Sequence, residues 1–313
     1  MVFGYIEIDN AELEDNILIK SYGMPTYNFA NFIDDHLMNI TVVIRGIEYL
    51  SSTPKYNLLY KAFGWEQPLY MHLPPIMKDE RHKLSKRNGD ASFEDLLAKG
   101  FLPQAIVNYI ALLGWSPKGN EEKLSMDELK EMFDVDGISK SQSIFDEQKL
   151  RWLNGRYIKE LDFDQFVKLA TPYIDKSKAA GKYDYKKLCR LTQGRIDTLD
   201  DIAGLVNFLE EYGEFDSGLY FNKKMKTDAA SAKEVLPKVR EKLASLGEWN
   251  NDSLFAALTG LAAELGVKNG VVLWPARVAV SGRENTPGGA TELAELIGKE
   301  ETLRRLDFAI SAL

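Results

Sequence analysis

The sequence predicts an α/β segment that gives way to helical bundles. Three observations carry that expectation. Short apolar runs of strand type gather before about residue 90, capping boxes and apolar spacing of about 3.6 residues recur after Ser92, and no repeat or low-complexity tract interrupts the 313 residues. A chain of this length is more than one compact core needs, so two or three domains are expected.

Residues 5–8, YIEI, alternate like a half-buried strand, ILIK at 17–20 is a short apolar run, and TVVIR at 41–45 is a β-branched run of the buried-strand kind. Tyr27 to Leu37 has helical spacing. Thr53 stands as an N-cap hydroxyl before Pro54, opening the helix YNLLYKAF that Gly64 closes. After Ser92 nothing reads as a strand before Val271. Ser92 with Asp95, Ser125 with Glu128 and Thr198 with Asp201 each set a hydroxyl three residues before a carboxylate, the pattern that satisfies free N–H groups at a helix start. Pro103 heads QAIVNYIALL, which Gly114 ends. DEQKLRWLNGRYI, LDDIAGLVNFLEEY, SAKEVLPKVREKLASL and NDSLFAALTGLAAELG show helical spacing, with Pro237 expected to start or kink its helix. Joints are expected near 158–163 and 213–230, where periodicity fades. Trp65, Trp115 and Trp152 read as core anchors.

Apolar residues at 45% and charged residues at 27% exclude a disordered or collagen-like chain. The formal charge of −8, from 39 basic and 47 acidic residues, means that a polyanion cannot be held by bulk charge, so any nucleic-acid surface must be local. Such a reversal occurs from Lys78 to Arg87. No apolar run approaches the roughly 20 residues that cross a bilayer, and the N-terminal segment has acids where a secretory leader carries lysines, so no membrane partner and a cytoplasmic location are expected. The single cysteine, Cys189, excludes an intramolecular disulfide, a four-cysteine zinc site and a CxxC motif, so no structural zinc is expected.

The stretch His82-Lys83-Leu84-Ser85-Lys86-Arg87-Asn88-Gly89 is the most informative. Two lysines three apart, with a serine between them, can wrap a polyphosphate with two ammonium groups and a hydroxyl. Alone, the same pattern is an ordinary solvated basic loop.

Context separates the two. GMPTYNFAN (23–31), VIRGIEYLSSTPKYNLLYKAFGW (43–65), HLPPIM (72–77) and KLSKRNGD (83–90) together resemble, in order and spacing, the glutamyl-tRNA synthetases, class I enzymes of the Rossmann type. FLPQAIVNYIALLGWSP, IFDEQKLRWLNGRYI and the terminal RVAVSGRENTPGGATELAELIGKEETLRRL extend the resemblance over nearly the whole chain. It implies a partial Rossmann-type α/β catalytic piece at 1–91 with the KLSKR loop and a mostly α stem-contact region at 92–160. Two helical anticodon-binding domains follow at 161–225 and 226–313.

The resemblance also implies roles. Lys83, Ser85 and Lys86 stand for the second class I signature, whose lysines stabilise the pyrophosphate leaving group. Glu48 and Tyr49 match positions beside ATP, and Ile76 flanks the adenine. Arg45 would pair with the glutamate side-chain carboxylate, because a guanidinium fork matches two oxygens. Tyr27 and Asn31, four apart on one helical face, match the amino-acid pocket. Without the motif, Tyr27 and Asn31 would read as a packed tyrosine and a capped turn, and Arg45 as a structural ion pair. Asp34, Asp35 and His36 are read as structural, because adjacent helical residues do not face one another, and no resident metal is expected. His72 is read as a strand-end packing residue and His82 as a loop residue. In the helical half, Arg151, Arg156, Lys159, Lys186, Lys187, Arg190 and Arg195 are candidate tRNA contacts, with a solvated charged face as the alternative. ATP with Mg2+, glutamate and the tRNA for glutamate are the implied substrates and partners.

One signature is missing. Class I synthetases carry His-x-Gly-His at the first Rossmann helix, whereas His36, His72 and His82 are the only histidines here and none begins that motif. The chain is therefore expected to be the C-terminal portion of such an enzyme, an isolated piece or a split or truncated gene product. It is expected to be monomeric unless the missing half is supplied by another chain, inactive in glutamate activation alone, and competent mainly for tRNA binding. The alternative is a noncatalytic regulatory or assembly protein on the same fold. A glutamine-specific relative is disfavoured by Arg45, which suits a carboxylate better than an amide.

Overall fold

In the computed structural model, residues 2–85, 92–212 and 216–313 are described. The chain forms two compact units: Met1–Leu96 with Pro103–Leu153, and Leu97–Leu102 with Asn154–Leu313.

The first unit is organised by α1 (Tyr27–Leu37), β1 (Val42–Gly46), α2 (Thr53–Phe63) and β2 (Leu69–Leu73). β1 and β2 pair in parallel, with Val43 opposite Tyr70 and Arg45 opposite His72, and α2 makes the crossover. Along β1, Val43 is buried and its neighbour Ile44, on the opposite face, is 58% exposed, while in β2 Met71 is buried and Leu69, at the strand start, is 59% exposed. An aromatic cluster of Phe32, Tyr56 and Tyr60 joins α1 to α2, with Trp65 and Tyr70 packed against it. Gly64 adopts φ 69° after α2, the left-handed conformation that ends a helix without a Cβ penalty. The short strand β3 (Ile76–Met77) precedes the KLSK loop and pairs in parallel with β4 (Ser143–Ile144). α3 (Phe93–Ala98), α4 (Pro103–Gly114), α5 (Met126–Met132) and α6 (Glu147–Glu160) follow in sequence. Trp115, Leu124 and Leu129 form a second small cluster in this unit.

The second unit is helical: α7 (Phe163–Ile174), α8 (Tyr185–Thr192), α9 (Asp201–Val206), then α10 (Ala229–Ala244), α11 (Asn251–Glu264), α12 (Asn269–Ser281), α13 (Ala290–Ile297) and α14 (Lys299–Ala312). The last five surround one apolar core that includes Leu236, Leu254, Val272, Ala276 and Leu306. Asn154, fully buried in α6, accepts from Leu102 N–H at 2.8 Å and donates to Asp197 O at 2.5 Å, so one amide satisfies two backbone groups.

Several expectations need correction. YIEI and ILIK form no strand, apart from an isolated bridge from Ile19 to Pro25. Tyr5 is 89% and Ile17 73% exposed, so alternation there meets neither a core nor a neighbouring backbone. Val271–Trp274 lies in α12, where packing of Val272 into the helical core overrides β-branched propensity. β2 and β4 are strands that local pattern did not announce. Thr53 is not a cap: its hydroxyl donates to Tyr49 O at 3.0 Å and contacts His72 Nε2 at 3.1 Å. Pro237 lies inside α10, which excludes only the first of its two expected roles, starting the helix. Trp152 is half exposed, because the buried stripe of α6 runs through Leu150, Leu153, Asn154 and Ile158 and leaves position 152 off it. The boxes at Ser92 and Ser125 form with both reciprocal bonds, whereas at Thr198 it is the Asp201 carboxylate that accepts, from the Asp197 and Thr198 N–H groups.

Candidate functional site

Arg45 stands near the C-terminal end of β1, and its guanidinium carbon is 4.6 Å from the ring centroid of Tyr56, 5.6 Å from Tyr49 and 5.7 Å from Tyr70. These faces attract a cation without neutralising it, so the charge stays on offer to an anion. Local structure explains each wall. Tyr70 comes from β2, Tyr56 from the buried face of α2, and Tyr49 from the 3-10 segment Ile47–Ser52 that β1 enters. Tyr56 is fixed further by donating its hydroxyl to Asn28 Oδ1 at 2.7 Å.

Tyr27 lies on the same side, its ring 6.4 Å from that of Tyr49, and it is 64% exposed. Asn31 donates to Asp35 Oδ2 at 3.4 Å. Burial raises the Asp35 carboxyl above the usual range, with Arg45 opposing the shift. His72, beside Arg45 in the sheet register, is pushed down by burial and by Arg45, so it is neutral at pH 7 and can meet the Thr53 hydroxyl as an uncharged ring.

The basic loop reaches the same strand end. Lys83 Nζ lies 3.0 Å from Glu48 Oε1, and the Glu48 carboxylate folds over Gly46, where a Cβ would collide with it. A hydrogen bond from Glu48's own backbone, followed by Lys83, holds that carboxyl below the usual range. Lys78 N–H donates to His82 O at 2.8 Å and Leu84 N–H to Ile76 O at 3.0 Å, which folds the segment back onto β3. Asp79 closes the turn by accepting from the N–H groups of Arg81 and His82. Ser85 is half-buried, whereas Lys86 and the rest of the motif through Asp90 lie outside the described residues. Ile76, beside the loop through that bond, also lines an apolar cavity of about 280 Å³ with Pro75, Ile110, Trp115 and Phe133. The structure thus brings Arg45, Glu48, Tyr49 and Lys83 together at one strand end, with Tyr27 on its rim.

His36 stacks on Trp65 with ring centroids 3.6 Å apart, a packing role. Among the described residues no group of three or more His, Cys, Asp or Glu side chains could hold a metal.

The basic residues of the helical half are dispersed among partners. Lys186 pairs with Asp164 at 3.2 Å, Lys187 with Glu295 at 3.1 Å, and Arg190 lies 5.5 Å over Phe163. Lys159 and Arg195 are exposed, and Arg151 and Arg156 are half-buried.

Sequence reasoning missed a hollow of about 480 Å³ in the second unit, lined by Met225, Phe255, Trp274, Arg277 and the Gly289–Glu292 segment that opens α13. Arg277 lies 4.3 Å over Trp274, donates to Glu284 O at 2.5 Å, and keeps its Nε buried without a hydrogen-bond partner. The signal lay in the RVAVSGRENTPGG stretch, whose chemistry is invisible until α12 and α13 meet.

Residues 1–152 match the catalytic domain of class I tRNA synthetases (E and Q), and residues 165–310 match the anticodon binding domain. A glutamate–tRNA ligase of Clostridium botulinum is 53% identical over 312 residues, which is 100% of this chain and 64% of that protein. One from Clostridium kluyveri is 50% identical with the same coverage. The crystal structure of a glutamate tRNA ligase from Elizabethkingia meningosepticum, in complex with its amino acid, superposes with a TM-score of 0.82 at 31% identity, covering 98% of this chain and 64% of that one. The chain spans about 64% of the length of the curated relatives it matches. Fold and matches together define a class I tRNA synthetase catalytic piece joined to anticodon-type helices. Within that class, the chain is similar along its whole length to glutamate–tRNA ligases.

Proposed function

We propose that this chain carries part of the machinery that joins glutamate to its tRNA, and that by itself it binds tRNA but activates glutamate poorly. The observation that carries the reading is the guanidinium of Arg45 within its tyrosine walls, ion-paired to no carboxylate among the described residues, at the same strand end as Lys83.

In that reading Arg45 holds the side-chain carboxylate of glutamate by paired charge-assisted hydrogen bonds, and Tyr27 and Asn31 align the remaining polar groups. The α-carboxylate attacks the α-phosphate of ATP, supplied with Mg2+. The bond to the pyrophosphate oxygen breaks, and Lys83 and Lys86 stabilise the departing charge, with Ser85 between them. Glu48, Tyr49 and Ile76 border the nucleotide. Glu48 must release Lys83 for this, so the ion pair marks the state before nucleotide binds. A ribose hydroxyl at the tRNA 3′ end then attacks the acyl carbon of the adenylate, forming the ester and releasing AMP. Residues 1–91 would serve activation, 92–160 the tRNA stem, and 161–225 with 226–313 the anticodon. Arg151, Arg156, Lys159, Lys187, Arg190 and Arg195 are proposed tRNA contacts, of which Lys187 must exchange its partner Glu295 for phosphate.

The His-x-Gly-His signature is absent from these 313 residues. Loss of even one preorganised transition-state donor costs roughly a hundredfold or more, which supports poor activation by this chain alone. Glutamate-dependent pyrophosphate exchange by the purified chain should be near background, while filter binding with the tRNA for glutamate should show salt-sensitive association. Robust exchange would overturn the first half of the proposal, and salt-insensitive or absent binding the second.

A second reading, a noncatalytic assembly protein, is favoured by the exposed Ile44 and Leu69 on a parallel strand pair, since parallel sheets normally bury both faces. Light scattering separates it, because a monodisperse monomer counts against an obligate partner at that face.

A further inference from the structure

We propose that the turn Asn222–Thr227 is an RNA phosphate-backbone contact, in which Lys223, Lys224 and Lys226 grip the strand beside the Trp274–Arg277 hollow. This rests on the reading that the partner of the helical unit is tRNA.

The turn is built and anchored. Asn222 and Thr227 exchange backbone hydrogen bonds at 2.9 and 3.2 Å, and Asn222 Oδ1 accepts from Met225 N–H at 3.0 Å. Thr227 is buried. The Met225 sulfur sits where a Cβ on Gly270 would fall, so the Met225 side chain lies directly against the first turn of α12. Met225 also lines the hollow, so the turn that carries the lysines borders it.

The turn concentrates positive charge, with lysine at three of its six residues. Several other lysines of the unit, among them Lys178, Lys182, Lys186, Lys187 and Lys242, pair with a carboxylate. Among the described residues no carboxylate pairs with Lys223, Lys224 or Lys226. In a protein of net charge −8, three such ammonium groups within four residues form a local attractor for a polyanion. Lys226 moreover adopts φ 59°, a left-handed conformation that is strained for lysine and easy for glycine or asparagine.

Aromatic surface points to nucleic acid rather than an acidic protein. Phe221, next to the turn, is 67% exposed, and Phe255, in the wall of the hollow, is 48% exposed. Exposed rings interleaved with cations are the means by which single strands are held: bases stack on rings while ammonium groups follow the phosphates.

The test uses the full 313-residue chain and three fluorescent probes: an RNA hairpin with an unpaired loop, the same stem as a blunt duplex, and polyglutamate. The triple variant Lys223→Ala, Lys224→Ala, Lys226→Ala should lose about 10–100-fold in hairpin affinity at low salt. Its slope of log affinity against log salt should fall by about 2–3, roughly one per lost phosphate contact. The triple Lys→Arg variant should keep the wild-type slope, and matching thermal melts of all three proteins exclude misfolding. If the wild type binds the hairpin and the alanine variant matches it in affinity and slope, the turn is not the contact, although the tRNA reading survives. If the wild type binds no RNA, both fall. Equal affinity for duplex or polyglutamate overturns the single-strand assignment.

Discussion

The guanidinium carbon of Arg45 lies 4.6 Å over the ring of Tyr56, and the hydroxyl of that tyrosine donates to Asn28 Oδ1 at 2.7 Å. A residue of α1 therefore steadies the wall against which a strand-end cation rests. Tyr56→Phe keeps the ring and loses one hydrogen bond, for an expected loss of about 1 kcal/mol in urea unfolding. Tyr56→Ala opens the aromatic cluster and should cost about 3–5 kcal/mol. Equal effects from both would show that the ring carries no packing role.

The Lys83–Glu48 pair is half exposed, so its removal should change stability by no more than about 1 kcal/mol. Its signature is in titration. Glu48's own backbone hydrogen bond is the first cause of its depressed carboxyl and Lys83 the next, so Lys83→Ala should move the Glu48 midpoint upward part of the way to that of a free glutamate. Carbon-detected NMR of the Glu48 carboxyl reads this directly. An unmoved midpoint would show that the ion pair does not form in solution.

Asn154 makes two bonds from a fully buried position, to Leu102 N–H and Asp197 O. Asn154→Ala strands both groups and should cost about 2–4 kcal/mol by chemical unfolding, well above the typical surface substitution. Asn154→Asp retains the acceptor for Leu102 and loses the donor to Asp197, and it buries a charge. It should therefore be no better than alanine at pH 7 and should recover in acid.

Glu301 accepts from Arg304 and from the buried Arg305, whose other nitrogens donate to Val280 O at 2.8 Å and Leu209 O at 2.6 Å. Arg304 first, then Arg305, pull the Glu301 carboxyl down from 4.5 to about 2. A carboxyl depressed on folding contributes stability that is whole above its unfolded value and fades as pH falls through the folded one. Glu301→Gln should therefore lose about 2–3 kcal/mol at neutral pH, with the gap from wild type closing between pH 4.5 and about 2. A gap that stays constant over that window in pH-dependent thermal unfolding would show that the charge contributes nothing.

Helices were legible wherever local chemistry decides them. Tyr27–Leu37 follows from periodicity, Pro103–Gly114 from its first-turn proline and terminal glycine, and Met126–Met132 from the Ser125–Glu128 box. Strands were legible only when both faces were signalled, as at Val42–Gly46. LYMHL at 69–73 carries no clear alternation, and it becomes a strand because β1 supplies the hydrogen-bonding edge. YIEI alternates well and stays irregular because nothing supplies one.

The amino-acid order by itself determined the family resemblance, the helical second half and the residues proposed to meet glutamate and ATP, because those rest on local spacing and side-chain chemistry. Only tertiary structure decided that Glu48 meets Lys83, that three tyrosines surround Arg45, and that Met225 seats a lysine turn beside Trp274 and Arg277. Each of these joins residues far apart in the chain, and the packing of helices and strands that brings them within reach is not written in any one segment.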